Sequence, residues 1–461
     1  MALAPWFVAV ARTTPGRALA SGALWGLAAA LGLSWWFPGT VAGYFHQSYA
    51  LGWLAFLAFS VASASLYYGP FAAWLSWLAC RGVANPLVVA AGWGATEFAR
   101  AHLLLADPWG LSGYSQVGWP ALMQIADATG PYGPGFLIGG VNACLAALRE
   151  PALRGRHPWL SALAIAAAVG GAIAYGQWRL VQEQPAGDAF TVAIVQGAGR
   201  PDGDTSAQPA SRLARYLDLT ATIAGSAPQL VVWPESAVDF YVEDDSSQRR
   251  SLLEASRAFG ATELLIGGLG RTTRRGTLRP HNSAFLLRDG RIVGRYHKTI
   301  LYPVAERPLP GISGGSGLAP GDAPAPLPSA HGPLAAVVCV EAMHPAYVRG
   351  LARPSGLLVN MSNDAWFAHP VPAAHQLAIT SVRAIENRRW LVRASASGYS
   401  AVIDPTGHVV ARTTFGQPDT LVAQVHWRDD VTPYQRWGDA PAWSMVTLAI
   451  AATLRAWLKR R

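Results

Sequence analysis

The chain has 461 residues, 51% of them hydrophobic and only 14% charged, with a formal net charge of +9. Ordinary soluble domains carry about 25% charged residues, so the composition speaks against a wholly soluble protein, and the length allows two or three domains. The basic residues form no stripe interleaved with aromatics, which argues against nucleic acid as a partner.

The charge deficit is local. Residues 1–180 and 441–458 are apolar, whereas 185–432 have the composition of an aqueous domain. Six membrane spans are predicted near 17–37, 50–78, 86–105, 131–149, 157–177 and 440–458, each close to the roughly 20 residues that cross a hydrocarbon core of ~30 Å. The second is long enough to tilt or to be two shorter pieces. Tryptophans such as Trp35, Trp53, Trp119 and Trp178 fall near predicted ends, where amphipathic rings anchor at the interface. The first segment does not read as a cleavable signal, because further spans follow it.

With the N-terminus inside, Arg12, Arg17, Arg81, Arg149, Arg154, Arg156, Arg455, Lys459, Arg460 and Arg461 all fall on the cytoplasmic side. Five spans then place the aqueous domain outside, and the sixth returns the chain. The expected organisation is an N-terminal membrane domain over 1–180 with about five helices, an outer domain over 188–432, and a C-terminal span with a basic tail over 438–461. Arg100 breaks the pattern. It lies three residues after Glu97 on one helix face, so this pair is either snorkelling or part of a site.

Residues 191–427 alternate strand and helix patterns. Strands are expected at Thr191–Gln196, Leu230–Trp233, Leu264–Gly267, Ala335–Val340, Leu357–Met361 and Leu391–Ala394, and helices at Ser211–Ala224, Ser247–Phe259, Pro345–Leu351 and Ala373–Asn387. Turn residues at Arg288-Asp289-Gly290 and Asp404-Pro405-Thr406-Gly407 mark two hairpins. The alternation predicts a layered α/β domain with the sheet inside. Residues 308–332, rich in Pro, Gly, Ser and Ala, read as a long surface loop, either a lid in which Gly311, Gly314, Gly315 and Gly317 permit movement or a disordered segment.

The basic residues number 36, yet only Lys298 and Lys459 are lysines. Lys459 sits in the terminal Lys459-Arg460-Arg461, where any cation would serve. Lys298 ends a strand-like run, and an ammonium, unlike a guanidinium, is compact and can exchange a proton. Cys339 is the only cysteine of the outer domain. It therefore has no partner for an internal disulfide, in a compartment that would be oxidising. Glu235 follows the apolar run Leu230-Val231-Val232-Trp233-Pro234. Each residue has a bland alternative: a surface lysine, a buried strand cysteine, an acid near a helix start. Together, at strand ends that converge on one rim of an α/β sheet, they form an acyl-transfer set. A carboxylate takes the thiol proton, the thiolate attacks, and the ammonium holds the oxyanion. His297 reads as a packing residue. His281, His344, His369 and His375 lack metal-ligand spacing, so neither metal nor cofactor is expected.

Several runs carry a family resemblance. Trp233-Pro234-Glu235-Ser236, Tyr296-His297-Lys298 with Pro303 and Glu306, Val338-Cys339-Val340-Glu341 and Ser362-Asn363-Asp364-Ala365-Trp366-Phe367 resemble the nitrilase superfamily. More narrowly they resemble its membrane branch, the apolipoprotein N-acyltransferases. The likeness extends to His375-Gln376, Arg383-Ala384-Ile385-Glu386 and Ala401-Val402-Ile403-Asp404-Pro405-Thr406-Gly407, and to Glu97-Phe98-Ala99-Arg100, Pro108-Trp109 and Gly113-Tyr114-Ser115-Gln116 in the membrane part. It covers about residues 85–430.

The resemblance implies a multi-span α-helical membrane domain joined to a nitrilase-like αββα sandwich. It implies Cys339 as nucleophile, Glu235 as general base, Lys298 as oxyanion holder, and Glu306 and Glu341 as supporting acids. Trp366, Phe367 and Asn363 are candidates for substrate binding, with Trp366 and Phe367 lining an acyl groove. The implied reaction moves an acyl chain from a phospholipid, through a thioester, to the amine of a diacylglyceryl-modified apolipoprotein. The implied location is the bacterial inner membrane, with the catalytic domain in the periplasm. The chain departs from the family at Val340, where an aromatic is usual, and at Ala305 and Arg307, which flank Glu306. It also departs at Gln196-Gly197-Ala198-Gly199-Arg200 and in a membrane part expected to be two helices short. A divergent nitrilase-type amidase or acyltransferase for another amine, such as a conjugal-transfer-type paralogue, stays open on these departures.

Overall fold

A computed structural model describes residues 3–183, 188–198, 209–274, 276–302, 305–306, 317–367 and 369–459. The chain divides into two compact units, Met1–Glu183 with Thr432–Arg461, and Gln184–Val431.

The first unit is helical. Three helices are long and apolar enough to cross a membrane: Pro15–Ser34, the continuous run Tyr49–Cys80, and Pro158–Gln182. Helices Pro86–His102, Tyr132–Arg149 and Ala440–Leu458 occupy the other three expected places. Pro86–His102 and Tyr132–Arg149 bury much of their surface against neighbouring helices, which lets them carry more glycine and polar residues than a lipid-facing helix tolerates. Asn85 starts the first of them by accepting the N–H groups of Leu87 and Val88 at 3.1 Å, with proline at the first helical position. The sequence reading missed Ala4–Ala11 and Phe37–Gly43, which are too short to give a spanning pattern.

The long second helix contains 32 residues, about 48 Å at 1.5 Å per residue. It is one helix rather than two pieces, but its middle, Val61–Ser65, is π-helical. Such a bulge diverts backbone groups from the regular ladder, and here the Ser63 carbonyl accepts Arg100 Nε at 2.7 Å. Arg100 also donates to Tyr68 Oη at 3.0 Å and to the Gly110 carbonyl at 2.9 Å. Glu97 instead accepts the Ser112 N–H at 2.6 Å and its hydroxyl at 2.8 Å. Both residues are buried, so neither snorkels: Arg100 bonds the π-helical turn and Gly110 of the loop after its own helix, while Glu97 holds Ser112 of that same loop. The helical three-residue spacing put them near each other, and tertiary contacts gave each its own anchor.

Among the described residues, the second unit has twelve strands. They are β1 Ala189–Gln196, β2 Leu230–Val232, β3 Glu263–Arg274, β4 Thr277–Arg288, β5 Arg291–His297, β6 Leu327–Ser329, β7 Gly332–Val338, β8 Leu357–Ser362, β9 Leu391–Ser395, β10 Ala401–Ile403, β11 Val409–Arg412 and β12 Asp419–His426. They form two six-stranded sheets, ordered β12-β1-β2-β3-β4-β5 and β11-β10-β9-β8-β7-β6. The sheets share one pattern. Three parallel strands (β1, β2, β3 and β7, β8, β9) carry an antiparallel strand on one side and two on the other.

Strand alternation explains the layers. Val192 and Ile194 of β1 pack with Leu334, Val359 and Ala394 in one core that draws on both sheets. Their neighbours Ala193 and Val195 face the other way, toward Leu213 and Tyr216 of helix Pro209–Thr222 and Leu252 of helix Ser247–Ala258. Successive residues of a strand point to opposite faces, so runs buried on both sides must be apolar throughout, as Leu230-Val231-Val232 is. On the second sheet, helices Pro345–Ala352 and Pro370–Asn387 add Val348, Leu351 and Leu377. The result is the expected αββα sandwich.

The expected loop over 308–332 is only partly a loop. Residues 307–316, with Arg307, Gly311, Gly314 and Gly315, lie outside the described residues, as do Pro303, Gly199 and Arg200. Leu327–Ser329 is a strand paired with β7, and Leu327 is buried in the core. Three residues are too short a run to signal a strand by periodicity. Before it, Ala319 N–H donates to the Pro280 carbonyl at 2.7 Å and Gly321 N–H to the Lys298 carbonyl at 2.9 Å. This half is held by backbone bonds to β4 and to the residue after β5.

Candidate active site

Glu235 stands three residues beyond β2. The chain turns sharply there, with Ser236 at φ +54°. Gly267 of β3 permits this, since a Cβ at that position would lie 2.3 Å from the Pro234 carbonyl and 2.7 Å from Glu235 Cα. Glu235 is buried, and its carboxylate has partners from three segments. Lys298 Nζ donates to Oε1 at 3.1 Å, Asn282 Nδ2 to the same oxygen at 2.7 Å, and the Asn363 N–H to Oε2 at 2.7 Å.

Lys298 is the first residue after β5, and its side chain is 1% exposed. Its N–H donates to the Asn282 carbonyl at 2.8 Å, extending the β4–β5 pairing by one rung. Its ammonium lies between two carboxylates, 3.1 Å from Glu235 and 2.8 Å from Glu306. Burial works against the charge on Lys298, but Glu235, Cys339 and Glu306 outweigh it and hold the ammonium above its ordinary value. The surface-cation alternative is therefore excluded for Lys298.

Glu306 is fixed by its own loop. Its Oε2 accepts the Tyr302 N–H at 2.8 Å, and its Oε1 accepts Asn282 Nδ2 at 3.0 Å and Lys298 Nζ at 2.9 Å. For Glu235, burial raises the carboxyl above its ordinary value. Lys298 opposes that rise and the nearby Glu306 adds to it.

Cys339 is expected at the end of a strand; instead it opens the 3-10 turn Cys339–Met343 directly after β7. Its φ is +52°, a left-handed conformation that costs a non-glycine residue about 1–2 kcal/mol. The turn lifts the side chain out of the β7 row while keeping it 5% exposed. Burial pushes the thiol well above its ordinary value, Glu235 adds to this, and Lys298 opposes it. The thiol is protonated at rest and requires a base to become nucleophilic.

Glu341 ties the nucleophile turn to the lysine segment. Its Oε2 accepts the Val338 N–H at 2.7 Å and Tyr296 Oη at 2.6 Å, and its Oε1 accepts the N–H of Thr299 at 2.6 Å and of Ile300 at 3.1 Å. Burial raises its carboxyl, against the pull of these four donors.

The remaining candidates divide. Asn363 contributes its backbone N–H to Glu235, while its side chain accepts the Ala365 N–H at 3.2 Å and caps the turn Asp364–Trp366. Trp366 is half-buried, stacks on Phe367 at 5.1 Å, and meets Tyr302 edge-on at 5.0 Å. Phe367 is itself buried. Val340 is buried in the nucleophile turn, and Ala305 is half-buried beside Glu306. His297 stacks on His281 at 4.4 Å and bonds Ser283 Oγ at 2.7 Å, as a packing residue would. Its ring is pushed down to about 4, by burial first and then by His281.

Sequence reasoning missed Asn282 and gave Tyr296 no role. The signal for Asn282 was present. His281-Asn282-Ser283 is a polar step in a strand that continues Ala284-Phe285-Leu286-Leu287, and a buried amide requires partners. The structure thus gathers Glu235, Lys298, Glu306 and Asn282 by direct hydrogen bonds, with Cys339 in electrostatic reach.

Comparisons with known proteins identify the family. Residues 1–144 match the apolipoprotein N-acyltransferase N-terminal domain, and residues 191–434 match the carbon-nitrogen hydrolase family. An apolipoprotein N-acyltransferase of Geobacter metallireducens is 32% identical over 477 residues, covering 98% of this chain and 90% of that protein. One of Azotobacter vinelandii is 32% identical over 486 residues, covering 100% and 90%. Among solved structures, a branch 10 nitrilase-superfamily protein of Saccharomyces cerevisiae aligns with 53% of this chain and 92% of its own. Its identity is 18% and its TM-score 0.43, too loose a likeness to argue from. On its length-wide identity with these relatives, the chain belongs to the apolipoprotein N-acyltransferase family, with a carbon-nitrogen hydrolase domain over residues 191–434.

Proposed function

We propose that the chain transfers an acyl group from a phospholipid to the α-amino group of a diacylglyceryl-modified cysteine at a lipoprotein N-terminus, with Cys339 as the relay. The buried Glu235–Lys298–Glu306 cluster beside a cysteine held in a left-handed turn carries this reading. The chemistry follows from the groups. Glu235 takes the Cys339 proton as sulfur attacks the ester carbonyl of the donor, and Lys298 stabilises the oxyanion that forms. The intermediate collapses to a thioester, and the departing lysophospholipid oxygen takes the proton from Glu235. The amine of the acceptor then attacks the thioester. Glu235 receives its proton and returns it to the leaving thiolate, so atoms and charge balance over both halves.

A lipid donor also explains why a hydrolase-type unit shares a chain with apolar helices. The proposed setting is the bacterial inner membrane, crossed six times, with residues 188–432 in the periplasm. The one-sided arginines support that orientation. Trp366 is assigned to the acyl groove, since it is half-buried and meets Tyr302, whose N–H holds Glu306, while the buried Phe367 backs it by stacking.

The test is to incubate the purified chain with phospholipid and a diacylglyceryl-cysteine peptide. N-acylated peptide is expected, together with an acyl-thioester that is absent in Cys339→Ala. A thioester without transfer to the peptide would reject this acceptor in favour of another amine.

A further inference from the structure

We propose that Asn282 is a positioning residue that keeps the proposed base ionised, its side-chain amide bridging the same two carboxylate oxygens that Lys298 holds. This rests on the reading of Glu235 as the base.

The placement follows from strand register. Asn282, Ala284 and Leu286 lie on one face of β4, and Ala284 and Leu286 belong to the core between the sheets. Asn282 continues that apolar row at its rim, 6% exposed. An amide in such a row is costly unless satisfied. Its NH2 group has two donors, and Nδ2 donates to Glu235 Oε1 at 2.7 Å and to Glu306 Oε1 at 3.0 Å. Lys298 Nζ reaches the same two atoms at 3.1 and 2.9 Å. The backbone carbonyl of Asn282 also takes the Lys298 N–H at 2.8 Å. One residue therefore touches every charged member of the cluster.

An amide suits this position. Two carboxylates around one ammonium repel each other, and burial disfavours a second negative charge. A second lysine would make the cluster neutral and compete for the oxyanion. An amide donates twice, carries no charge, and exchanges no proton with the thiol. The groups that face Glu235 are Lys298 and Glu306 from the segment after β5, Cys339 from the turn after β7, Asn282 from β4, and the Asn363 N–H after β8. Among them the amide is the neutral side chain that lowers the proton affinity of Glu235, against burial and Glu306, which raise it. Its loss leaves Glu235 protonated at pH values where the wild type is active.

The experiment uses the full chain in detergent and measures kcat/KM for peptide N-acylation across pH. Asn282→Ala is expected to lose roughly tenfold at neutral pH. Its acid limb should move up by about one pH unit, with activity recovering toward wild type at alkaline pH. Asn282→Ser supplies the same comparison if the alanine variant does not fold. Asn282→Asp adds a third acid and is expected to stay low throughout. An acid limb unmoved from wild type in a folded variant, with or without a uniform loss of rate, overturns the proposal. Activity that persists in Glu235→Gln defeats the base assignment itself, whatever the Asn282 profile shows.

Discussion

Asn363 donates its backbone N–H to Glu235 Oε2 at 2.7 Å across 128 residues of chain. The first follows β8 of one sheet and the second follows β2 of the other. The carboxylate is thus fixed by the meeting of two sheets, and the site depends on how closely those strand ends approach.

That approach makes Gly267 critical. Gly267→Ala would set a Cβ 2.3 Å from the Pro234 carbonyl oxygen and 2.7 Å from Glu235 Cα, and backbone atoms cannot step aside. The Glu235 turn must move, and misplacement by about 1 Å is enough to cost on the order of 100-fold in rate. We expect thioester formation to fall by about that factor while the chain still folds. A normal rate with a normal melting curve would show that the turn tolerates the added atom.

Lys298→Arg tests whether the site needs an ammonium. The guanidinium is larger and planar and must fit between Glu235 and Glu306 in a 1% exposed position. Loss of one oxyanion donor costs roughly 10²–10³ in kcat, and overpacking costs about 1–3 kcal/mol. The expected variant is folded, modestly destabilised and nearly inactive. Turnover like the wild type would remove Lys298 from the role assigned to it.

Glu306→Gln should move the pH profile opposite to Asn282→Ala. Glu306 raises the proton affinity of Glu235 by like-charge repulsion. Without that charge, Glu235 gives up its proton more readily, so the base stays competent to lower pH and the acid limb shifts down. The pH dependence of single-turnover thioester formation reads this directly. An upward shift would contradict the arrangement of charges described for the cluster.

The left-handed turn at Cys339 predicts an unusual ranking of inactive variants. Alanine keeps the unfavourable φ of +52°, whereas glycine adopts it at little cost. Cys339→Gly should therefore unfold at the same or a higher denaturant concentration than Cys339→Ala. In most buried non-glycine positions glycine is the worse of the two, and finding that order here would mean the turn is unstrained.

Arg393 and Asp364 are both fully buried and lie 2.7 Å apart. Ser362 and Ser395 also donate to Asp364, at 2.7 and 2.9 Å. Removing one partner of a buried pair leaves an uncompensated charge and costs about 3–5 kcal/mol. Asp364→Ala should lower stability by that amount and, because Asp364 follows Asn363, slow catalysis too. Chemical denaturation of the full chain measures the first effect, and a change below about 1 kcal/mol would show the pair to be solvated.

Much of the fold was legible in the chain. Apolar runs such as Leu230-Val231-Val232 read as strands buried on both faces, and turn residues at Asp289-Gly290 marked the β4–β5 hairpin that delivers Lys298. Short or irregular elements were not legible. Leu327–Ser329 is too brief to show a period, and the π-helical Val61–Ser65 obeys neither period.

The sequence by itself determined the reactive residue types and their placement at or near strand ends, although it kept Cys339 within its strand. A lone outer cysteine, a lone internal lysine and an acid after an apolar run can be recognised locally. Only the tertiary structure decided their partners. Asn282 reaches Glu235 over 47 positions, Tyr296 reaches Glu341 over 45, and Asn363 reaches Glu235 over 128. Hydrogen bonds act over about 3 Å, and periodicity carries no information about which distant residue folding will bring that close. For the same reason Glu97 and Arg100, neighbours on a helix face, took separate partners.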